Sequence, residues 1–347
     1  MVAVAKKMRA AVLVRPGELQ IESRDVPKPG ANEVLVQIKA AGVCGSDVHF
    51  YRRGRIGDAV VSKPLILGHE AAGKIVSLGR GVRKLKVGQA VSIEPGWPCG
   101  RCEYCKTGRY NQCLHIQFLG TPPDDGAFRD YVVVPADFAH PMAEGMSFAE
   151  GAMVEPLAVG VHACRRGEVR PGDTVLVSGC GPIGLCCMMA AFGMGASRVF
   201  LSEPDGYRRE AALEMGATAV FDPARREGAD CIKDVMGHDA QVVLEASGSE
   251  CAIQQAIEMI GPGGRIVLVG FPHQDIVPVN LTHLMFHEAE IRTVWRYAND
   301  FPFAIHLICS GKAPVAKLIT HRHPLEKIAE AMAKMGEPRS LKAVIEF

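Results

Sequence analysis

Short apolar runs separated by turn residues dominate the first part of the chain. Strand-like stretches recur at 9–14, 33–39, 74–79 and 89–93, and Pro-Gly pairs punctuate them at 16–17 and 29–30. No long helical period precedes residue 145, so the pattern predicts a compact, β-barrel-like domain. From residue 174 the texture changes. An apolar run at 174–178 ends in a glycine-rich turn and enters a helix-length apolar stretch reaching Phe192, and a second run follows at 198–202. Runs at 241–246, 264–270 and 290–294, with a helical stretch at 251–260, continue an alternation that builds a doubly wound parallel sheet. Helical patterns near 302–309 and at 325–334 and a last strand at 342–346 follow, and this end is expected to rejoin the first domain. The expected division is a β-rich domain of residues 1–157, completed by 297–347, and an α/β domain of residues 158–296.

The length of 347 residues suits two domains, and 48% hydrophobic residues with a mean hydropathy of +0.10 are enough to fill their cores. Lys and Arg number 39 against 38 Asp and Glu, a net charge of +1 with no surplus pointing to nucleic acid or membrane. Residues 1–7 do not have the order of a signal peptide. The longest apolar run, 183–194, falls short of the roughly 18 residues of a membrane span. A soluble, cytoplasmic protein is expected.

Twelve cysteines without a secretion signal suggest metal binding or core packing rather than disulfides. Cys164, Cys180, Cys186, Cys187, Cys231, Cys251 and Cys309 are scattered and read as small buried hydrophobes. Cys99, Cys102, Cys105 and Cys113 are clustered at spacings that let four thiolates wrap one tetrahedral zinc, a closed structural site; the alternative is free thiols or a redox cluster. Cys44 stands alone, 25 residues before His69 in the run Gly68-His69-Glu70, and Glu155 follows far downstream. Thiolate, imidazole and carboxylate are the ligands of a zinc site that keeps one position open for chemistry; the alternative is a buried histidine and two scattered acids.

The turn Gly179-Cys180-Gly181-Pro182-Ile183-Gly184 lies between a strand and a helix, and Glu203 ends the next strand 24 residues after Gly179. This is the dinucleotide-binding arrangement. Gly179 allows the tight turn, Gly181 lets a pyrophosphate approach the helix N-terminus, and Gly184 lets helix and strand pack. Glu203 can accept from both adenosine-ribose hydroxyls and would repel a 2′-phosphate, which favours NAD over NADP. Asp205 adds a second negative charge, and Arg208 can stack on adenine or meet a phosphate. Ile183, Val269 and Arg296 complete the expected cofactor-contacting set.

These motifs together resemble the zinc-dependent medium-chain dehydrogenase/reductase superfamily, and within it the polyol (sorbitol/xylitol) dehydrogenase branch. The resemblance rests on Gly68-His69-Glu70 with Gly73, Gly79 and Val82, the four-cysteine loop, Arg109-Tyr110-Asn111 and the Gly179 turn. The loop 121–126, the run 155–160 with 162–166, and Arg296-Tyr297 are more specific to the polyol branch. The resemblance implies a GroES-like catalytic domain, a Rossmann domain, and an active site in the cleft between them. It also implies Cys44 and His69 as zinc ligands, with Glu70 and Glu155 sharing the carboxylate side, and up to two zincs per subunit, one catalytic and one structural.

The implied reaction moves a hydride from a secondary hydroxyl of a sugar alcohol, xylitol or sorbitol, to NAD and leaves a ketose. Zinc lowers the pKa of the substrate hydroxyl. Ser46 and His49, just past Cys44, are placed to relay the released proton, with capping for Ser46 and packing for His49 as the alternatives. Glu155, Arg296 and Tyr297 are the expected hydrogen-bond partners of the polyol, with Tyr51, Phe118 and Thr121 as wall or as ordinary packing residues. A threonine- or butanediol-type dehydrogenase is the nearest rival, and a non-catalytic NAD- or zinc-binding protein the distant one. The branch suggests a homotetramer, with residues 270–285 as an interface edge.

Overall fold

The computed structural model describes residues 5–224, 236–272, 274–337 and 339–347. Cys231 and the first four residues, named above, lie outside the described residues. The chain divides into two compact units, one running to Glu155 and resumed by Val315–Phe347, the other Pro156–Pro314.

The first unit is built on the strand Glu33–Gly42. Glu70–Leu78 pairs antiparallel along one side of it. The other side is shared: Tyr131–Pro135 pairs with residues 33–37, and Lys342–Glu346 pairs with residues 40–42. Ala90–Ile93, Ala139–Pro141 and Ile319–Pro324 complete a seven-stranded sheet. Lys7–Arg15, Glu18–Asp25 and Leu65–Ile66 form a second, three-stranded sheet. The inward positions of both sheets, Leu13, Ile38, Ile75 and Ile93 among them, are sealed from solvent in one core together with Leu67 and Phe128 of the connecting segments.

The β-rich first part also carries short helices, none long enough to show as a helical period. Gly45–Arg53 is a helix of nine residues. It buries only Asp47, Val48 and Phe50, too little apolar surface to leave a periodic trace. Its ends define it instead. Asp47 reaches back to the Cys44 backbone N–H at 2.9 Å, and Gly54 closes the helix at φ +68°.

In the second unit six parallel strands run in the order Ala219–Phe221, Arg198–Ser202, Thr174–Ser178, Ala240–Glu245, Ile260–Leu268 and Glu290–Thr293. That is the doubly wound order, which reverses direction at Thr174–Ser178. Helices cover the sheet, so Thr174–Ser178 is buried at every position. The helix after it, Pro182–Gly193, buries eight residues and is apolar nearly all round. The expected junctions at 157 and 297 shift to 155 and 314. Helix Phe301–Cys309 accounts for the second shift: its Leu307 packs so closely on Gly193 that a Cβ there would lie 2.5 Å from Leu307 Cδ2.

Candidate metal and cofactor sites

Cys44, His69 and Glu70 bring one ligand atom each to within 4.8 Å of one another. Three local structures put them there. Cys44 is the N-cap of helix Gly45–Arg53. His69 follows Gly68, whose φ of +93° turns the chain out of the strand Leu65–Ile66. Glu70 opens the strand Glu70–Leu78 directly opposite Gly42, where a Cβ would lie 2.0 Å from Glu70 Oε2. Only glycine leaves room for that carboxylate.

Asp47 ties the first two together. It is fully buried, accepts the Cys44 and Gly68 N–H groups at 2.9 Å each, and lies 3.7 Å from His69 Nδ1. Burial pushes the Asp47 carboxyl up; burial opposes the His69 imidazolium, but Asp47 and Cys44 outweigh it and raise its pKa well above the usual value. A carboxylate behind a ligating histidine fixes the ring's orientation and raises its basicity.

Glu70 has its own partner, which sequence reasoning missed. Lys342 Nζ lies 2.5 Å from Glu70 Oε1, with both side chains buried. Burial would lower the Lys342 pKa, yet Glu70 and Cys44 hold it above its ordinary value. Glu70 Oε2 is buried and has no hydrogen-bond donor among the described residues. A thiol, an imidazole and a carboxylate oxygen without a donor, gathered this closely, fit a zinc ion.

Glu155, in the first turn of helix Val154–Arg166, is buried outside that set of three, near enough for its charge to act on His69 and Lys342. Phe118 packs against His69 with ring centroids 5.6 Å apart. The loop that carries Phe118 and Thr121 lies flat on the Gly68 backbone: a Cβ on Gly120 would meet Gly68 N at 2.8 Å, and one on Gly126 would meet Gly68 O at 2.3 Å. Ser46 is half-buried and His49 exposed, two and five residues past Cys44 on the same helix. Tyr51, expected as wall, donates its hydroxyl to Gly17 O at 3.1 Å.

Cys99, Cys102, Cys105 and Cys113 form the second cluster, all as free thiols. Cys102 and Cys105 Sγ are 3.3 Å apart, and Cys113 Sγ accepts the Cys99 N–H at 3.3 Å. The Arg101 and Cys102 N–H groups pull the Cys99 thiol down to about 6, while burial and the neighbouring sulfurs push Cys105 up to about 12. Four sulfurs that compete this way for negative charge fit a closed zinc site.

In the second unit Gly179 has φ +95°, and a Cβ on Gly184 would lie 1.9 Å from Gly179 O, so both positions require glycine. Gly181 has only the Arg208 guanidinium nearby, at 3.9 Å from the position of a Cβ, which leaves its backbone open to a pyrophosphate. Glu203 is buried at the end of its strand, accepting Cys180 N–H at 2.8 Å and Asp205 N–H at 3.0 Å. Asp205 caps helix Gly206–Glu214 by accepting the Arg208 N–H at 2.9 Å, a structural use of a charge expected to favour NAD. Ile183 and Val269 are half-buried, and the Val269 N–H is held by Glu245 O. Arg296 and Tyr297 follow the edge strand Glu290–Thr293; Tyr297 is buried against Phe301, and the Arg296 guanidinium lies over Trp295, 4.9 Å from the ring centroid.

The comparisons with known proteins agree with this geometry. The family described as "Alcohol dehydrogenase GroES-like domain" matches residues 30–144, and that described as "Zinc-binding dehydrogenase" matches residues 182–310. The sorbitol dehydrogenase of Bos taurus is 42% identical over 347 residues, covering 99% of this chain and 97% of that protein. The sorbitol dehydrogenase of Bacillus subtilis is 40% identical over 332 residues, covering 95% of this chain and 94% of its own. A crystal structure of an Escherichia coli oxidoreductase/dehydrogenase of unknown specificity superimposes with a TM-score of 0.93 at 34% identity, over 98% of this chain and 99% of that one. With both family descriptions matched in order and full-length relatives at 40% identity and above, the chain belongs to the zinc-binding alcohol dehydrogenase family, with a GroES-like and a Rossmann domain.

Proposed function

We propose that the protein oxidises a secondary hydroxyl of a sugar alcohol, xylitol or sorbitol foremost, to a ketose with NAD as hydride acceptor. The observation that carries this reading is the set of half-buried Cys44 and buried His69 and Glu70, with Glu155 beside it. It is joined by the sorbitol dehydrogenase relatives that match almost the whole chain. Cys44, His69 and Glu70 would hold a zinc ion, which would supply the Lewis acidity that lowers the pKa of a substrate hydroxyl. The Gly181 backbone and Glu203 would hold NAD, which would supply the hydride acceptor.

The remaining work falls to the chain's own side chains. Ser46 receives the released proton and exposed His49 passes it to water. Phe118 and Thr121 wall the ligand side and exclude water. Glu155 accepts from, and Arg296 and Tyr297 pair with, the further hydroxyls that distinguish a polyol from a simple alcohol. The four-cysteine cluster staples its loop and takes no part in the chemistry.

A homotetramer in the cytoplasm completes the proposal. Phe271, Leu281, Met285 and Phe286 are each more than 60% exposed beside the edge strand Glu290–Thr293, a concentration of apolar surface suited to a second copy. No helix among the described residues is long and apolar enough to cross a membrane. The test is to strip zinc with a chelator, verify removal, and assay NAD-linked xylitol and sorbitol oxidation. Activity is expected to vanish and return with zinc; unchanged turnover in verified zinc-free protein defeats the reading.

A further inference from the structure

Two stretches specific to the polyol branch, 162–166 and Arg296-Tyr297, are joined within the second unit by a residue that neither contains. Asp300 is fully buried at the N-cap position of helix Phe301–Cys309, where an aspartate ordinarily accepts from its own helix. Its side chain makes no such bond. Oδ2 instead accepts the Ala298 N–H at 3.1 Å and pairs with His162 Nδ1 at 2.9 Å, and Oδ1 lies 2.8 Å from Arg165 Nη1. The carboxylate is thus turned backward along the chain and across to the helix Val154–Arg166.

The segment it holds is strained. Arg296 has φ of +56°, in the left-handed region that side-chain-bearing residues rarely adopt, and Asn299, a residue type that tolerates that region, has +61°. A bulky residue such as Arg296 persists there only where the surroundings over-determine it, and this strain clusters at ligand-contacting segments. Tyr297, between them, is pinned on Phe301 with ring centroids 5.4 Å apart, next to Asp300 in sequence.

We propose that Asp300, gripped by His162 and Arg165, is a positioning residue for substrate selection: it holds residues 295–299 in the strained turn that presents Arg296 and Tyr297 to the hydroxyls of a polyol beyond the reacting carbon. This rests on the polyol reading above. Gly179, Gly181 and Glu203 lie outside the turn, so releasing it weakens polyol recognition more than it weakens cofactor binding or the oxidation of an alcohol without further hydroxyls.

The test compares zinc-loaded full-length protein with Asp300→Asn, His162→Gln, Arg296→Ala and Asp300→Asn/Arg296→Ala. Xylitol and 2-propanol are the two substrates, and NADH dissociation is followed by fluorescence. For Asp300→Asn, kcat/KM for xylitol is expected to fall about tenfold or more, mainly through KM, while kcat/KM for 2-propanol falls by less than about threefold and the NADH constant shows how much of that smaller loss passes through the cofactor. In the Arg296→Ala background the same change is expected to cost less than about threefold, because both act through one contact. His162→Gln, which leaves Arg165 and Ala298 on the carboxylate, carries the same signature in weaker form and serves if Asp300→Asn does not fold. Equal loss for both alcohols, full multiplicativity in the double variant, or an unchanged xylitol KM in both single variants overturns the positioning role. An Arg296→Ala protein with unchanged xylitol KM overturns the polyol reading of that side chain, and the positioning role with it.

Discussion

Lys342 and Glu70, 272 positions apart in the chain, form an ion pair that solvent does not reach, with Nζ to Oε1 at 2.5 Å. Each sits at the first position of a strand, and the central strand Glu33–Gly42 pairs with both strands. The pair sets the charge balance of the candidate metal site. Lys342 offsets one of the negative charges contributed by Cys44, Glu70 and Glu155, and its Nζ occupies the carboxylate oxygen that points away from Gly42.

Lys342→Met leaves the Glu70 carboxylate buried and unpaired, a change that costs roughly 3–5 kcal/mol of stability. The sign of the metal effect follows from the charge. A zinc ion beside Glu70 supplies part of the missing positive charge, so the loss is larger in zinc-free than in zinc-loaded protein. Chemical denaturation of both forms measures the difference; an equal loss in the two would separate Lys342 from the metal site.

Glu203→Ala removes the proposed ribose acceptor and the carboxylate that holds the Cys180 and Asp205 N–H groups. Turnover with NADP relative to NAD is expected to rise by about tenfold or more, while kcat/KM with NAD itself falls. Initial rates with both cofactors check this, and an unmoved ratio means Glu203 does not read the ribose.

Cys102→Ser takes one sulfur from the four-cysteine cluster. Native mass spectrometry is expected to show two zincs per chain in the parent protein and one in the variant, together with a lower Tm. A parent protein that carries a single zinc, undiminished in the variant, would return the cluster to free thiols.

What the sequence made legible was local or strongly patterned. The strand–turn–helix–strand–acid run from residue 174 to Glu203 could be read because glycine is obligatory at Gly179 and Gly184, where φ and backbone approach admit nothing else. The four cysteines were legible through their spacing. The helix Gly45–Arg53 was not, because capping defines it and its buried face is short. Asp47 stood in plain view three residues after Cys44. Its value lay in a hydrogen bond to Gly68, 21 residues on, and the one signal available was the capping-box spacing from the cysteine. Lys342 and Asp300 were illegible for a simpler reason. Their partners are 272 and 138 positions distant, and only the register of the strands and the packing of two helices bring them together.

The most direct measurement is the initial rate of NAD reduction by the zinc-loaded protein across xylitol, sorbitol, ribitol, mannitol, arabitol, threonine and 2,3-butanediol. The account predicts the highest kcat/KM for xylitol or sorbitol, with threonine and butanediol far behind. Preference for threonine or butanediol, or no NAD reduction with any polyol, would contradict it.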